Sequence, residues 1–165
     1  MFSLNVPLPP AVGDLAGDLH PKLSGFDRVR DRHTLVCKRL GVEAVPDRVD
    51  DGESNREREG GELSPPKPDA VAALREDLRP LLSGTAPFEV AVTGVDVFDA
   101  PVSGSRPVVY LAVESDALVR LHHRLCAAYG AIEGIEGDEF VPHVTLARGG
   151  NPEPGVVADL VDAEV

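Results

Sequence analysis

Apolar and polar positions alternate first from Phe2 to Pro7, with Phe2, Leu4 and Val6 on one side, the two-residue period of a half-buried strand. Pro9 and Pro10 then open a stretch in which Val12, Leu15, Leu19 and Leu23 recur at helical spacing, and Gly25 closes it. A second strand is predicted from Thr34 to Leu40, ended by Gly41. Periodicity is lost from Asp47 to Lys67, where charged residues, paired glycines and Pro65-Pro66 leave almost nothing to bury, so a mobile, solvated loop is expected. Pro68-Asp69 starts a helix striped by Val71, Leu74, Leu78 and Leu81 and stopped at Ser83-Gly84. Two strands follow, Phe88 to Phe98 and Pro107 to Glu114, joined by a Pro-, Gly- and Ser-rich loop from Asp99 to Arg106. Ser115 or Asp116 caps a helix carrying Leu118, Leu121, Leu125 and Tyr129 as far as Gly130. A Gly-rich loop from Gly134 to Gly137 leads to a last strand at Phe140 to Arg148, and a short helix follows from Pro152. Strands gathered in hairpin-like succession argue against a parallel doubly wound sheet and for an α+β fold with antiparallel pairing.

At 165 residues the chain suits one domain spanning 1–165, long enough for a real core. Mean hydropathy of −0.07 marks it as soluble and globular, and the scarcity of aromatics, 4 % with no Trp, leaves the interior to Val, Ala and Leu. No run approaches the roughly 20 apolar residues of a membrane span, and Met1-Phe2-Ser3 leads into a strand without a basic segment, so a cytoplasmic protein is expected. The net charge of −12 excludes a generally basic nucleic-acid platform, and any RNA contact must be local. Lys occurs only at 22, 38 and 67 while Arg and acidic residues are common, a balance that resembles proteins of salt-accumulating halophiles. Cys37 and Cys126 are too few and too far apart for a disulfide scaffold and read as reduced thiols.

The most informative stretch is Phe140-Val141-Pro142-His143-Val144-Thr145-Leu146-Ala147-Arg148. In a strand His143 and Thr145 project to one side and Val144 and Leu146 to the other, so the segment is apolar behind and presents an imidazole and a hydroxyl in front. Together with its aromatic, its Pro before the His and its Leu-Ala-Arg after the Thr, it resembles the second signature of the two-histidine phosphoesterases, the family of the bacterial and archaeal 2′-5′ RNA ligase-like proteins. The resemblance implies a bilobal α+β fold, two antiparallel sheets lining a central cleft with helices outside. Members of that family usually run a further strand or two beyond this point, so a C-terminus shortened at Val165 is expected.

The family's first signature, His-x-Thr-x followed by Leu-Gly, is matched by Arg32-His33-Thr34-Leu35-Val36-Cys37-Lys38-Arg39-Leu40-Gly41, with Thr34 adjacent to His33 instead of two residues along. In a regular strand that adjacency puts the two on opposite faces, and the interval from His33 to Gly41 is one residue longer than in the family pattern, which a β-bulge would accommodate. The resemblance implies His33 as proton donor and His143 as proton acceptor, with Thr145, Thr34 and Arg148 binding phosphate. Opening a 2′,3′-cyclic phosphate in line needs a base for the attacking water and an acid for the leaving ribose oxygen, and two imidazoles supply both near neutral pH without a metal or a cofactor. Arg148 has an alternative use in pairing with one of the many carboxylates. The expected partner is an RNA end or small nucleotide bearing a 2′,3′-cyclic phosphate, handled by a monomer, with weak 2′-5′ ligation as the same attack by a ribose hydroxyl.

The other candidate residues read as structural. His122-His123 are helix neighbours that diverge by about 100° and cannot chelate together. His20, before a Pro at a helix end, suits a terminal carbonyl, and Asp50-Asp51 belong to the solvated loop. A binding module of the same fold that has lost efficient catalysis through its irregular first signature, and an esterase for small cyclic nucleotides, remain as alternatives. The side of the sheet to which the Thr34 hydroxyl turns separates the module from the enzyme.

Overall fold

A computed structural model describes residues 1–41, 67–99, 101 and 104–163. The expected solvated loop at 47–67, with Asp50 and Asp51, lies outside the described residues except for Lys67, as do parts of the 99–106 connection and the last two residues. The elements in order are β1 (Phe2–Val6), α1 (Pro10–Leu19), β2 (Phe26–Val29), β3 (Leu35–Leu40), α2 (Lys67–Ser83), β4 (Ala91–Phe98), β5 (Val108–Glu114), α3 (Asp116–Tyr129), β6 (His143–Gly150) and α4 (Pro154–Val161). The fold is α+β, as the order of the periodic segments predicts.

Two departures from the sequence pattern have local reasons. The first helix gives way after Leu19 to a 3-10 turn, His20–Leu23, because Pro21 has no N–H to continue the ladder. The strand β2 carries no two-residue alternation, and it forms because its edge pairs with the end of β6, Phe26 opposite Gly150 and Val29 opposite Ala147.

All pairings are antiparallel, and the order is β1-β3-β6-β5-β4 with β2 also on β6. The expected two sheets are therefore joined into one. A two-stranded part, β1-β3, meets a four-stranded part, β2-β6-β5-β4, through the pair Leu35–Val144. Both β2 and β3 use the same edge of β6, and the chain between them leaves that edge after Arg30, which still donates to the Leu146 carbonyl, and returns to it at Leu35.

One face of the sheet holds the core. Leu35, Val109, Leu111, Val144 and Leu146 are fully buried there, in one cluster with Val12 and Leu19 of α1, Leu74 and Leu78 of α2, Leu118 and Leu125 of α3 and Leu160 of α4. At about 25 cal/mol per Å² of apolar surface, each fully buried Leu or Val contributes roughly 1.5–3 kcal/mol. The cap of α3 falls on Ser115, whose Oγ accepts from the Leu118 N–H at 3.2 Å and donates to the Glu89 carbonyl at 2.8 Å. Among the described residues no helix is long and apolar enough to cross a membrane.

The loop before β6 is fastened by two buried polar groups. Lys38 and Glu136 form an ion pair at 2.5 Å, and Glu136 also accepts from the backbone N–H groups of Arg39 at 2.9 Å and Ile132 at 3.0 Å. His122, fully buried, stacks on Phe140 with ring centroids 3.7 Å apart. Its Nδ1 donates to the Cys37 carbonyl at 2.7 Å and its Nε2 accepts from the Gly137 N–H at 2.9 Å, so the ring is a neutral packing residue with both nitrogens used. Burial lowers its pKa in the same sense. Cys37 is a free, buried thiol, pushed up to about 11 chiefly by burial.

Candidate active site

The signature strand β6 behaves as its alternation predicts for its first four residues: Val144 and Leu146 are fully buried while His143 and Thr145 are half-buried on the opposite face. The register with β5 then slips. Tyr110 faces Thr145 but Val109 faces Ala147, so Leu146 is an extra residue. Leu146 and Ala147 both turn into the core, and Arg148, opposite Val108, rejoins the face of Thr145, because Tyr110 and Val108 are two apart on β5. Strict alternation would have sent Arg148 to the core side.

The strand β3 carries a matching slip. Asn5 faces Val36 but Leu4 faces Lys38, so Cys37 is extra, and Arg39 returns to the face of Val36. The expected additional residue is thus a bulge, but it lies after His33-Thr34 and not between them. Since Leu35 pairs directly with Val144, Val36 and Arg39 share a face with His143, Thr145 and Arg148. The two strands correspond about that pair, with Thr34 matching His143, Val36 matching Thr145 and Arg39 matching Arg148. His33 stands one residue outside the correspondence, ahead of the first residue of β3. Thr34 is exposed, and the register carries it towards Thr145 instead of behind the sheet.

The His143 ring is oriented from behind and from the side. Its Nδ1 donates to the Val141 carbonyl at 2.6 Å, which leaves Nε2 as the free basic nitrogen. Tyr110 and Phe98 stack at 4.1 Å, and both meet the imidazole edge-on, at 5.4 and 5.6 Å. The Tyr110 hydroxyl donates to Asp96, and burial followed by that carboxylate pushes it up to about 12, so it stays protonated. Burial is the main cause that lowers the His143 pKa, the cationic Arg39 and Arg148 lower it further, and the bond to Val141 opposes them. The resting imidazole is therefore neutral at pH 7, as a base must be.

The Arg148 guanidinium lies under Gly104. A Cβ at that position, where φ is +82°, would come within 2.6 Å of Nη1. Burial and the neighbouring Arg30, Arg28 and Arg39 lower the Arg148 pKa. His33, half-buried, occupies a different neighbourhood: burial lowers its pKa, Asp31 raises it and His20 lowers it. The structure thus brings together His143, Thr145, Arg148 and the side to which Thr34 turns, and sets His33 beside Asp31 and His20. Arg39, Arg28, Tyr110 and Phe98 join the face without having been singled out in the sequence. For Arg39 a signal was available, since it follows Thr34 at the interval at which Arg148 follows His143.

A family model described as 2′-5′ RNA ligase superfamily matches residues 62–163. The chain belongs to that superfamily. The matched part, more than half the chain, contains β4 to β6 with His143, Thr145 and Arg148; His33, Thr34 and Arg39 precede it. No curated protein and no solved structure matches the chain. Membership in the 2′-5′ RNA ligase superfamily points to phosphoesterase or RNA-ligase-like chemistry and to RNA as the partner.

Proposed function

We propose that this member of the 2′-5′ RNA ligase superfamily hydrolyses 2′,3′-cyclic phosphates to 2′-phosphates by acid-base catalysis. The observation that carries the reading is the grouping on one sheet face of a neutral His143 with free Nε2, the Thr145 hydroxyl and the guanidinium groups of Arg39 and Arg148. Nε2 of His143 takes the proton of a water attacking phosphorus. A P–O bond to that water forms as the bond to the 3′-oxygen breaks, and His33 delivers a proton to the departing oxygen. Thr145 and Thr34 donate to the non-bridging oxygens, and Arg148 balances the charge that gathers there. Burial lowers the His33 pKa and Asp31 opposes it only in part, so it is the bound phosphate anion that favours the protonated form. The two imidazoles share the proton transfers, so the scheme calls for no metal.

The test is incubation with 2′,3′-cyclic AMP and with an oligonucleotide ending in a cyclic phosphate, followed by identification of the phosphate isomer. Expected are a 2′-phosphate product, activity that survives a chelator, and a loss of about 10²- to 10⁴-fold in His143→Ala. The pH profile should be a bell whose acidic limb lies below 6.5, because the His143 pKa is lowered and protonation removes the base. Full activity in His143→Ala would overturn the scheme. A second reading, a binding module with little turnover, is favoured by the place of His33, one residue outside the correspondence of β3 and β6; it predicts tight oligonucleotide binding with no product from either substrate.

A further inference from the structure

We propose that His122, on the core side of the sheet, is a positioning residue for the site on the opposite side: one imidazole sets both the direction of the His143 ring and the bulge that carries Arg39 onto the face. The inference rests on the hydrolysis reading above. Helix α3 packs against β3, and its fully buried His122 ring stands between that strand and the loop that leads into β6. Nδ1 donates to the Cys37 carbonyl at 2.7 Å. Cys37 is the extra residue of the bulge in β3, and a residue that a bulge takes out of the ladder leaves backbone groups in need of another partner.

The other side of the ring holds a turn. Nε2 accepts at 2.9 Å from the N–H of Gly137, the first residue of the 3-10 turn Gly137–Glu139. Phe140, the residue after that turn, lies on the imidazole with the two planes 14° apart. Next comes Val141, whose carbonyl takes the Nδ1 proton of His143. Val141 is 42 % exposed, so its own side chain does not fix it. Its peptide takes its direction from its neighbours: Phe140 on His122, and Pro142, whose carbonyl accepts from the Val113 N–H at 3.2 Å. The Lys38–Glu136 pair also ties the loop to β3, but it ends at Glu136, ahead of the turn. A Leu or Phe at position 122 would fill similar space. The neutral imidazole adds a donor towards β3 and an acceptor towards the loop, and a polar ring buried this deeply is costly unless both nitrogens are used.

The experiment separates the two ends of the ring. In His122→Asn the amide nitrogen stands where Nδ1 stands and keeps the bond to Cys37; in His122→Gln the amide oxygen reaches the place of Nε2 and keeps the bond to Gly137. Nitrogen–proton correlation spectra of the imidazoles report the His143 tautomer without any turnover, and kcat and KM for 2′,3′-cyclic AMP are measured well below the melting temperature. The wild type should show His143 as the Nδ1–H tautomer. H122N should give mixed tautomers and a kcat lowered ~10- to 10²-fold with little change in KM. H122Q should keep the tautomer and raise KM ~10-fold as Arg39 is released. F140L, at a half-buried position, should reproduce the mixed tautomers, and it carries the test if the variants at 122 do not fold. His123→Ala, at the exposed neighbour on α3, should change none of these readouts. A lowered Tm in H122N and F140L with the His143 tautomer, kcat and KM of the wild type would overturn the inference and leave His122 a packing residue; an unchanged KM in H122Q would overturn its Arg39 half. If the wild type turns over no cyclic phosphate, the hydrolysis falls, and the His143 tautomer in H122N and F140L still decides the positioning.

Discussion

Replacing Glu136 by Ala tests how the signature strand is held. Lys38 is 2 % exposed and Glu136 6 %, so the substitution leaves an ammonium group in the interior without its carboxylate. It also strips acceptors from the backbone N–H groups of Arg39 and Ile132. Breaking a buried pair by removing one member costs about 3–5 kcal/mol. The two amides add at most about 1–3 kcal/mol each where water cannot reach them. Against a total stability of about 5–15 kcal/mol this is a large part of the margin. At about 2–4 °C per kcal/mol for a chain of this size, the ion-pair loss alone should lower Tm by roughly 6–20 °C. Urea unfolding monitored by circular dichroism gives the free energy directly. The double variant K38M/E136Q should recover part of the loss, since no charge is then buried and the single amide oxygen still accepts from one of the two N–H groups. Burial pushes the Glu136 carboxyl up, but the donors Arg39, Lys38 and Ile132 together outweigh it and hold the group below its usual range. A lowered folded-state pKa means that the pair stabilises above the unfolded value near 4.5 and that this contribution is lost as pH falls through the folded value. A cost below about 1 kcal/mol for Glu136→Ala, or a double variant no better than the single one, would show that the pair is not desolvated as described.

Gly104→Ala should displace the Arg148 guanidinium, because the new Cβ falls 2.6 Å from Nη1. A misplacement of that order costs up to about 10²-fold in kcat/KM, whereas φ of +82° adds only about 1–2 kcal/mol of backbone strain; unchanged kinetics would refute the placement of Arg148. With a net charge of −12, the chain should gain stability from low to multimolar KCl as self-repulsion is screened; equal unfolding midpoints at both would sink the halophile-like reading of its composition.

The fold class and the second signature were legible because local chemistry determines them. The alternation of Val144 and Leu146 with His143 and Thr145 needs no tertiary information, and Ser115 caps α3 through its own side chain. Three features were not legible. The short β2 exists through its partner β6 and has no periodic signal of its own. The Lys38–Glu136 pair joins residues 98 apart in sequence, and each looks like an ordinary surface charge until the two are folded together. The cationic face depends on two bulges that neither Cys37 nor Leu146 announces. For the same reason Thr34 reads as the misplaced member of the first signature, whereas in the folded chain it is His33 that stands out of line.

The bulges also say something about tolerance to changes in length. The intervals from Thr34 to Arg39 and from His143 to Arg148 are both odd, five residues each, and in a flat strand an odd interval separates two side chains to opposite sides. A deletion of Cys37 or of Leu146 would leave every functional side chain in the gene and still reverse the sense of everything on one side of the cut. In β6 the guanidinium of Arg148 would then be driven towards the interior, or the imidazole and hydroxyl would be. A point substitution at either bulge trims the core, but a single missing codon there dismantles the site, so in homologues of this protein the length of these segments deserves closer reading than their composition.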